Sequence, residues 1–253
     1  MIGWLAGVMD IPAPMLALVA LAIVVGAFVQ GISGLGLGLI AAPVLIAVDP
    51  RIGPGPLLAM SIPLSAFMMR REFGAIDRQG LALSLTGRFA GSILAGFLIA
   101  WLSVSAYELM FGLFILTAVI LSLLGLRIER TPRNLLSAGV TSGIMGTLTG
   151  AGSPTIALIY QRSDGSTVRA TLSAFFLASA FFSLLVIIAA GKMEMRQWAL
   201  CLAGLPLMLI GYVLSNLVVR QISNDKVRLF VLGLAGASSL MLIVRAGLGL
   251  MKE

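Results

Sequence analysis

The chain has 253 residues, of which 59% are hydrophobic and only 11% charged, with a formal net charge of +7. That composition excludes an ordinary soluble domain and points to a polytopic, all-α membrane protein with the lipid bilayer as its main partner. Histidine is absent and cysteine occurs once, as Cys201. Ser-His-Asp catalysis, histidine metal sites, an internal disulfide and CxxC centres are therefore excluded, and no metal, cofactor or enzymatic chemistry is expected.

The first ten residues carry no Lys or Arg, so no cleaved signal peptide is expected there. Between Asp10 and Asp49 lie 38 uncharged residues (49 − 10 − 1). One crossing takes about 20, so this is length for two segments. In its middle runs Gln30-Gly31-Ile32-Ser33-Gly34-Leu35-Gly36-Leu37-Gly38, with Pro43 following. Glycine costs about 1 kcal/mol against alanine in a helix, so the segment is read as a hairpin broken near Gln30–Gly38. Broken backbone at membrane depth belongs inside protein or beside a watery cavity, where freed N–H groups can meet an anion.

A breaker-rich turn covers 49–56, and a span follows to Met69 with Pro63 inside it. The polar loop 70–78 leads to a span over Leu81–Trp101 that contains Arg88, then a short turn at 103–105 and a span over Tyr107–Leu126. Thr131-Pro132 is read as the end of any helix there. The second half repeats the plan. Arg133 to Arg162 encloses another long uncharged stretch, broken at Gly143…Thr149-Gly150-Ala151-Gly152-Ser153-Pro154. Spans follow between Arg169 and Lys192, between Arg196 and Arg220, and from Val227 to about Ile243, with Asn224-Asp225 as the cap of the last.

The two breaks superpose at an offset of 116 (150 − 34 and 152 − 36). Paired glycine- and proline-interrupted segments in matching halves are the best sequence pointer to a transporter binding site, set against close helix packing as the plainer reading. Basic residues gather in loops 70–78, 127–133, 162–169 and 220–228, while 103–105 has none. Placing those four loops on the cytoplasmic side makes each half a hairpin plus three transmembrane helices, with the halves, 1–126 and 127–253, oppositely oriented. If the hairpins count as single crossings, the repeats become parallel. The basic residues lie in loops and form no stripe interleaved with aromatics, so no nucleic-acid partner is expected.

These residues resemble the TauE/SafE family of sulfite and organosulfonate exporters. The resemblance rests on Gly31-Ile-Ser-Gly-Leu-Gly-Leu-Gly38 with Pro43, on Arg70-Arg71 leading to Gly74-Ala-Ile-Asp77-Arg78, on the Gly143…Pro154 block and on Arg169-Ala-Thr-Leu-Ser-Ala-Phe-Phe176. It covers nearly the whole chain. Leu37 interrupts the consecutive glycines usual in the first block, and Ser153-Pro154 stands where a further glycine is common. The resemblance implies secondary transport of a small sulfur oxyanion or sulfonate outward across the bacterial inner membrane. A co-transported proton would ride on the substrate, as in bisulfite, because every carboxylate falls near the end of an apolar run.

The candidate substrate-binding residues are Gln30, Ser33, Gly34, Gly36 and Gly38 from the first break and Thr149, Gly150, Gly152 and Ser153 from the second. Half-helix N-termini would supply N–H donors and about half a positive charge, with hydroxyls and an amide beside them. The plainer reading of each hydroxyl is a bond back to its own helix. Arg88 completes the set. It falls about 15 Å along its helix from the loop. An intramembrane arginine is a functional hypothesis by default, but that depth leans toward a side chain snorkelling to the cytoplasmic interface. Arg169 reads as a positive-inside anchor. Three other functions compete with an export carrier. An intramembrane enzyme is disfavoured because neither break holds an ionisable residue. A carbonyl-filter channel and an uptake carrier of similar anions stay open.

Overall fold

The computed structural model describes residues 11–33, 37–71, 73–101, 104–124, 128–150, 154–160 and 163–218, with a few residues between 233 and 247. Ala13–Ser33 (α1), Leu37–Val48 (α2), Gly55–Arg71 (α3), Arg78–Trp101 (α4), Val104–Leu124 (α5), Pro132–Thr149 (α6), Pro154–Tyr160 (α7), Gly165–Ala189 (α8) and Met195–Val218 (α9) are helices, with 3-10 turns at Pro50–Ile52 and Phe73–Ala75. There is no strand among the described residues. Among the described residues, four stretches are long and apolar enough to cross a membrane: Ala13–Ile32, Arg78–Leu98, Gly165–Ala189 and Met195–Val218. Large apolar side chains such as Phe97, Trp101, Leu202 and Leu217 stand exposed on their outer faces, as a lipid-facing surface requires.

Both expected breaks are present. At the first, the Leu37 N–H donates to Gln30 Oε1 (3.0 Å), while the Leu37 backbone packs on Gly26, where a Cβ would come within 3.0 Å of Leu37 Cα. The start of α2 therefore runs back beside the last two turns of α1. At the second, Gly150 takes φ +65° as the left-handed cap of α6 and its N–H bonds Gly146 O. Glycine adopts that conformation at little cost. Thr155 Oγ1 then donates to Ala138 O (3.2 Å), so α7 begins beside the middle of α6 rather than beyond its end. With 12 residues in α2 and 7 in α7, neither returning limb is long enough to cross about 30 Å alone.

Thr131-Pro132 opens a helix instead of ending one. Thr131 Oγ1 accepts the Asn134 N–H (3.2 Å) and Pro132 takes the first turn, where its missing N–H costs nothing. Val227–Ile243 and the Asn224-Asp225 cap lie largely outside the described residues. Cys201 is buried in the cluster of α1, α2, α3, α5 and α9.

α4 packs on α6 and α8, α9 packs on α1 and α3, and α3 packs on α8. One close backbone approach recurs at partner positions 116 residues apart. A Cβ on Gly91 of α4 would meet Val140 O and Gly143 Cα of α6, and one on Gly211 of α9 would meet Val24 O and Ala27 Cβ of α1. Val24 and Ala27 are Val140 and Gly143 less the same 116 residues. Small residues at both crossings let the backbones touch.

Candidate functional site

Arg88 lies on α4 one turn after Ser84 and one turn before Ser92, on the face turned to α6 and α8. It is 2% exposed, so it does not snorkel. The reason lies on α6. Gly139 and Gly143 bring that helix against the α4 backbone, and Gly146 leaves a gap into which the guanidinium fits: a Cβ there would lie 2.8 Å from Nη2 and 3.0 Å from Cζ.

The guanidinium is held by neutral groups. Nη1 donates to the Ser142 carbonyl and to Ser142 Oγ (2.9 Å). Nη2 donates to Ser183 Oγ (2.8 Å). Thr147 Oγ1 bridges Ser183 Oγ (2.6 Å) and Ser92 Oγ (3.0 Å). The Phe175 ring lies beneath, its centroid 6.0 Å from Cζ, within cation–π range. Arg88 Nε and the hydroxyls of Ser84 and Ser179 are buried without a hydrogen-bond partner among the described residues. Ser84 is one turn from Arg88, and Ser179 is one turn from both Phe175 and Ser183 along α8. A charge withdrawn from water is ordinarily paired with its opposite. Here one cation sits among hydroxyls with unmade donors still in hand.

Two polar clusters at the helix ends fix these helices. Asp77 caps α4, accepting the Gly80 N–H on Oδ1 (3.1 Å). Its Oδ2 accepts the Tyr160 hydroxyl (2.9 Å) and faces Arg130 Nη1 at 3.4 Å, while its N–H donates to Thr171 Oγ1 (3.0 Å). Asp77 so ties the start of α4 to the end of α7 through its carboxylate and to α8 through its backbone N–H, which sets the register that points Arg88 at Ser142 and Ser183. Toward the other hairpin, Asp49 accepts bonds from the backbone and side chain of Arg51, and Gln197 Nε2 donates to Arg51 O (2.9 Å). Burial pushes the Asp49 carboxyl up, but the Arg51 bonds and charge outweigh it and hold the group below its ordinary value.

The other sequence candidates divide. Gln30 is spent on the Leu37 N–H, closing the α2 N-terminus. Thr149 Oγ1 bonds back to Met145 O (2.7 Å), the plainer of its two readings. Gly38 is buried within α2, and Gly150 packs on Pro54. Gly34, Gly36, Gly152 and Ser153, and the side chain of Ser33, lie outside the described residues. Arg169 is half-buried on the first turns of α8. Arg88 comes from another helix to lie against Gly146, in the last turn of α6 that Gly150 caps. Sequence reasoning missed Ser92, Ser142, Thr147, Phe175 and Ser183. The one signal for them was hydroxyls at four-residue spacing on two helices, 84–88–92 and 179–183, around a single charge.

A family model described as sulfite exporter TauE/SafE matches residues 18–242, a span that takes in both hairpins and Arg88. No curated protein matches the chain, and neither does any solved structure.

Proposed function

The chain belongs to the TauE/SafE family of sulfite exporters, and on that premise we propose that this multi-pass membrane transporter carries a small sulfur oxyanion or sulfonate out of the cell across the bacterial inner membrane. Two inverted repeats, 1–126 and 127–253, alternate access to a site between the two helix breaks. The recurrence of the Gly91 and Gly211 crossings at partner positions 116 residues apart supports the repeat, and inverted repeats place substrate at the repeat interface.

The single observation that carries the reading is Arg88, a buried cation with neutral partners lying against the second break. An anion is the ligand such a group lacks. Driving force needs no further device, because a negative-inside potential expels an anion at about 2.3 kcal/mol per charge per 100 mV. A proton can leave on the substrate itself, as bisulfite.

Anion flux in proteoliposomes tests the reading. Sulfite, sulfoacetate or sulfate is loaded, a potential and a pH gradient are imposed separately, and wild type is compared with Gly36→Leu and Gly152→Leu. Saturable sulfite or sulfonate flux with counterflow, lost in both variants, is expected. Flux without saturation or counterflow would make the protein a channel, and no flux of any anion from folded protein would overturn the proposal.

A further inference from the structure

The charge count around Arg88 goes beyond the presence of an anion site to the valence of its ligand. α4 carries no other charged residue after Arg78, α6 none after Arg133, and α8 none after Arg169. The groups that touch the guanidinium are a carbonyl, the hydroxyls of Ser142 and Ser183, and a phenyl ring. The site therefore holds one positive charge and neutral donors.

We propose that this cluster is a monoanion site, built for an oxyanion bearing one negative charge, such as a simple alkanesulfonate or hydrogensulfite, and built against dianions such as sulfate and the doubly charged sulfoacetate. The inference rests on the carrier reading above. A single negative charge against Arg88 makes a neutral buried pair. A dianion leaves one charge uncompensated where water is excluded, the costly case. The donors suit three oxygens at one end of a ligand. The unpartnered Nε and the adjacent Nη2 form one edge of the guanidinium fork, which takes two oxygens side by side. Thr147, hydrogen-bonded to Ser183, and Ser179, one turn before Ser183, add hydroxyls from α6 and α8, the Ser179 hydroxyl being buried without a partner among the described residues. Hydroxyls rotate to donate or accept, so the same groups also serve the O–H of a singly protonated oxyanion.

The position matched to Arg88 in the second half sharpens the argument. If Gly91 corresponds to Gly211, an offset of 120, Arg88 corresponds to Met208, which is fully buried on α9. A thioether chain of similar length fills the equivalent place, so the fold does not need a cation there. Arg88 is a binding residue by this reasoning, and removing it relieves the resting protein.

The test uses the full-length protein in detergent and in proteoliposomes, with methanesulfonate and sulfate as probes and Arg88→Met and Arg88→Lys as variants. Methanesulfonate is expected to raise the wild-type Tm and to inhibit sulfite flux at roughly tenfold or more lower concentration than sulfate. Arg88→Met is expected to fold with a Tm at or above wild type and to lose both the methanesulfonate shift and the flux. Arg88→Lys, which keeps the charge and loses the fork, is expected to keep the preference for the monoanion with weaker binding. Equal potency of sulfate and methanesulfonate on an active carrier overturns the monoanion site while leaving the carrier reading intact. A preference for methanesulfonate that survives in Arg88→Met places the site elsewhere and overturns the assignment. A Tm well below wild type in Arg88→Met, with normal anion response in Arg88→Lys, makes Arg88 a structural residue and overturns it too. No wild-type flux of any anion strikes at the carrier reading itself.

Discussion

Adding one methyl group at Gly146 separates the role of Arg88 from that of the helix packing around it. In Gly146→Ala the new Cβ lies 2.8 Å from Arg88 Nη2, 3.0 Å from Cζ and nearer still to Nη1. Carbon and nitrogen settle at about 3.5 Å or more, so the guanidinium must move by roughly 1 Å. Its bonds of 2.9 Å to Ser142 Oγ and 2.8 Å to Ser183 Oγ then stretch beyond hydrogen-bond range. The obstructed atoms are the far end of a flexible side chain, and alanine favours the helix by about 1 kcal/mol over glycine, so the fold survives. What is lost is the aim of the charge. One charge-assisted hydrogen bond is worth about 1.5–3 kcal/mol, which converts to a rise in KM for sulfite of about ten- to a hundredfold. Gly143→Ala is the control. Its Cβ meets backbone, 2.7 Å from Gly91 Cα and 2.8 Å from Gly91 C, and no rotamer change relieves that. α4 and α6 must part, at a cost of about 1–3 kcal/mol. The assays are sulfite flux in proteoliposomes and apparent Tm in detergent at one scan rate. Gly146→Ala should weaken transport at near wild-type Tm, and Gly143→Ala should lower Tm. A Gly146→Ala protein with wild-type KM, or with a Tm loss matching Gly143→Ala, refutes the reasoning.

The remaining predictions concern the supports of the site. Gln30→Leu leaves the buried Leu37 N–H unpaired and should lower Tm by an amount equivalent to about 1–3 kcal/mol; an unchanged Tm would mean that the amide does not close the α2 N-terminus. Tyr160→Phe removes the hydroxyl bond to Asp77, and with Gly80 and Arg130 still in place the cost should be about 1–2 kcal/mol, read as Tm. Asp49 is held below its ordinary value, so its pairing stabilises the protein above about pH 4 and fades as pH falls through the lowered folded value. Asp49→Asn should accordingly flatten the acid limb of a Tm-against-pH curve, and identical curves for the two proteins would refute that assignment.

The breaks were legible because their causes are local. Glycine in a cluster closed by proline needs only its own neighbours to be recognised, and Gly150, at φ +65° beside Gly152 and Pro154 in the chain, is such a case. The direction of Arg88 was not legible, because its cause is Gly146 on another helix, 58 residues on (146 − 88). Depth along α4 gave only the choice between interface and interior. What decides it is a missing side chain on α6 and a hydroxyl on α8, and single-helix periodicity carries neither. The polar residues of the breaks had two readings in sequence, a ligand or the local backbone, and the structure supplies a local bond for two of them. Gln30 Oε1 accepts the Leu37 N–H and Thr149 Oγ1 donates to Met145 O, bonds that depend on where the chain turns at each break. Thr131-Pro132 was misjudged because proline stops a helix before it and starts one after it equally well, and only the Thr131 cap resolves which.

The two halves share their crossings and differ in what those crossings hold. On α4 and α6, small residues bring the backbones together and the gap beside Gly146 receives a cation. On α9 and α1 the matching approach at Gly211 is kept, yet Met208 fills the place of the charge. At the position matched to Gly146, Gln30 (146 − 116) has a side chain that turns to close its own hairpin. The proposed duplication would account for the common frame. It does not explain why one half kept a group that costs stability in a bilayer, since the other half shows the same frame holding without it. A buried guanidinium among hydroxyls is unfavourable for the empty protein and favourable once a single negative charge arrives, and that difference is what a carrier uses to sense its load. On the proposed reading the asymmetry gives the two crossings different work, with α4, α6 and α8 holding the anion and α1, α3 and α9 supplying the apolar counter-surface against which they move.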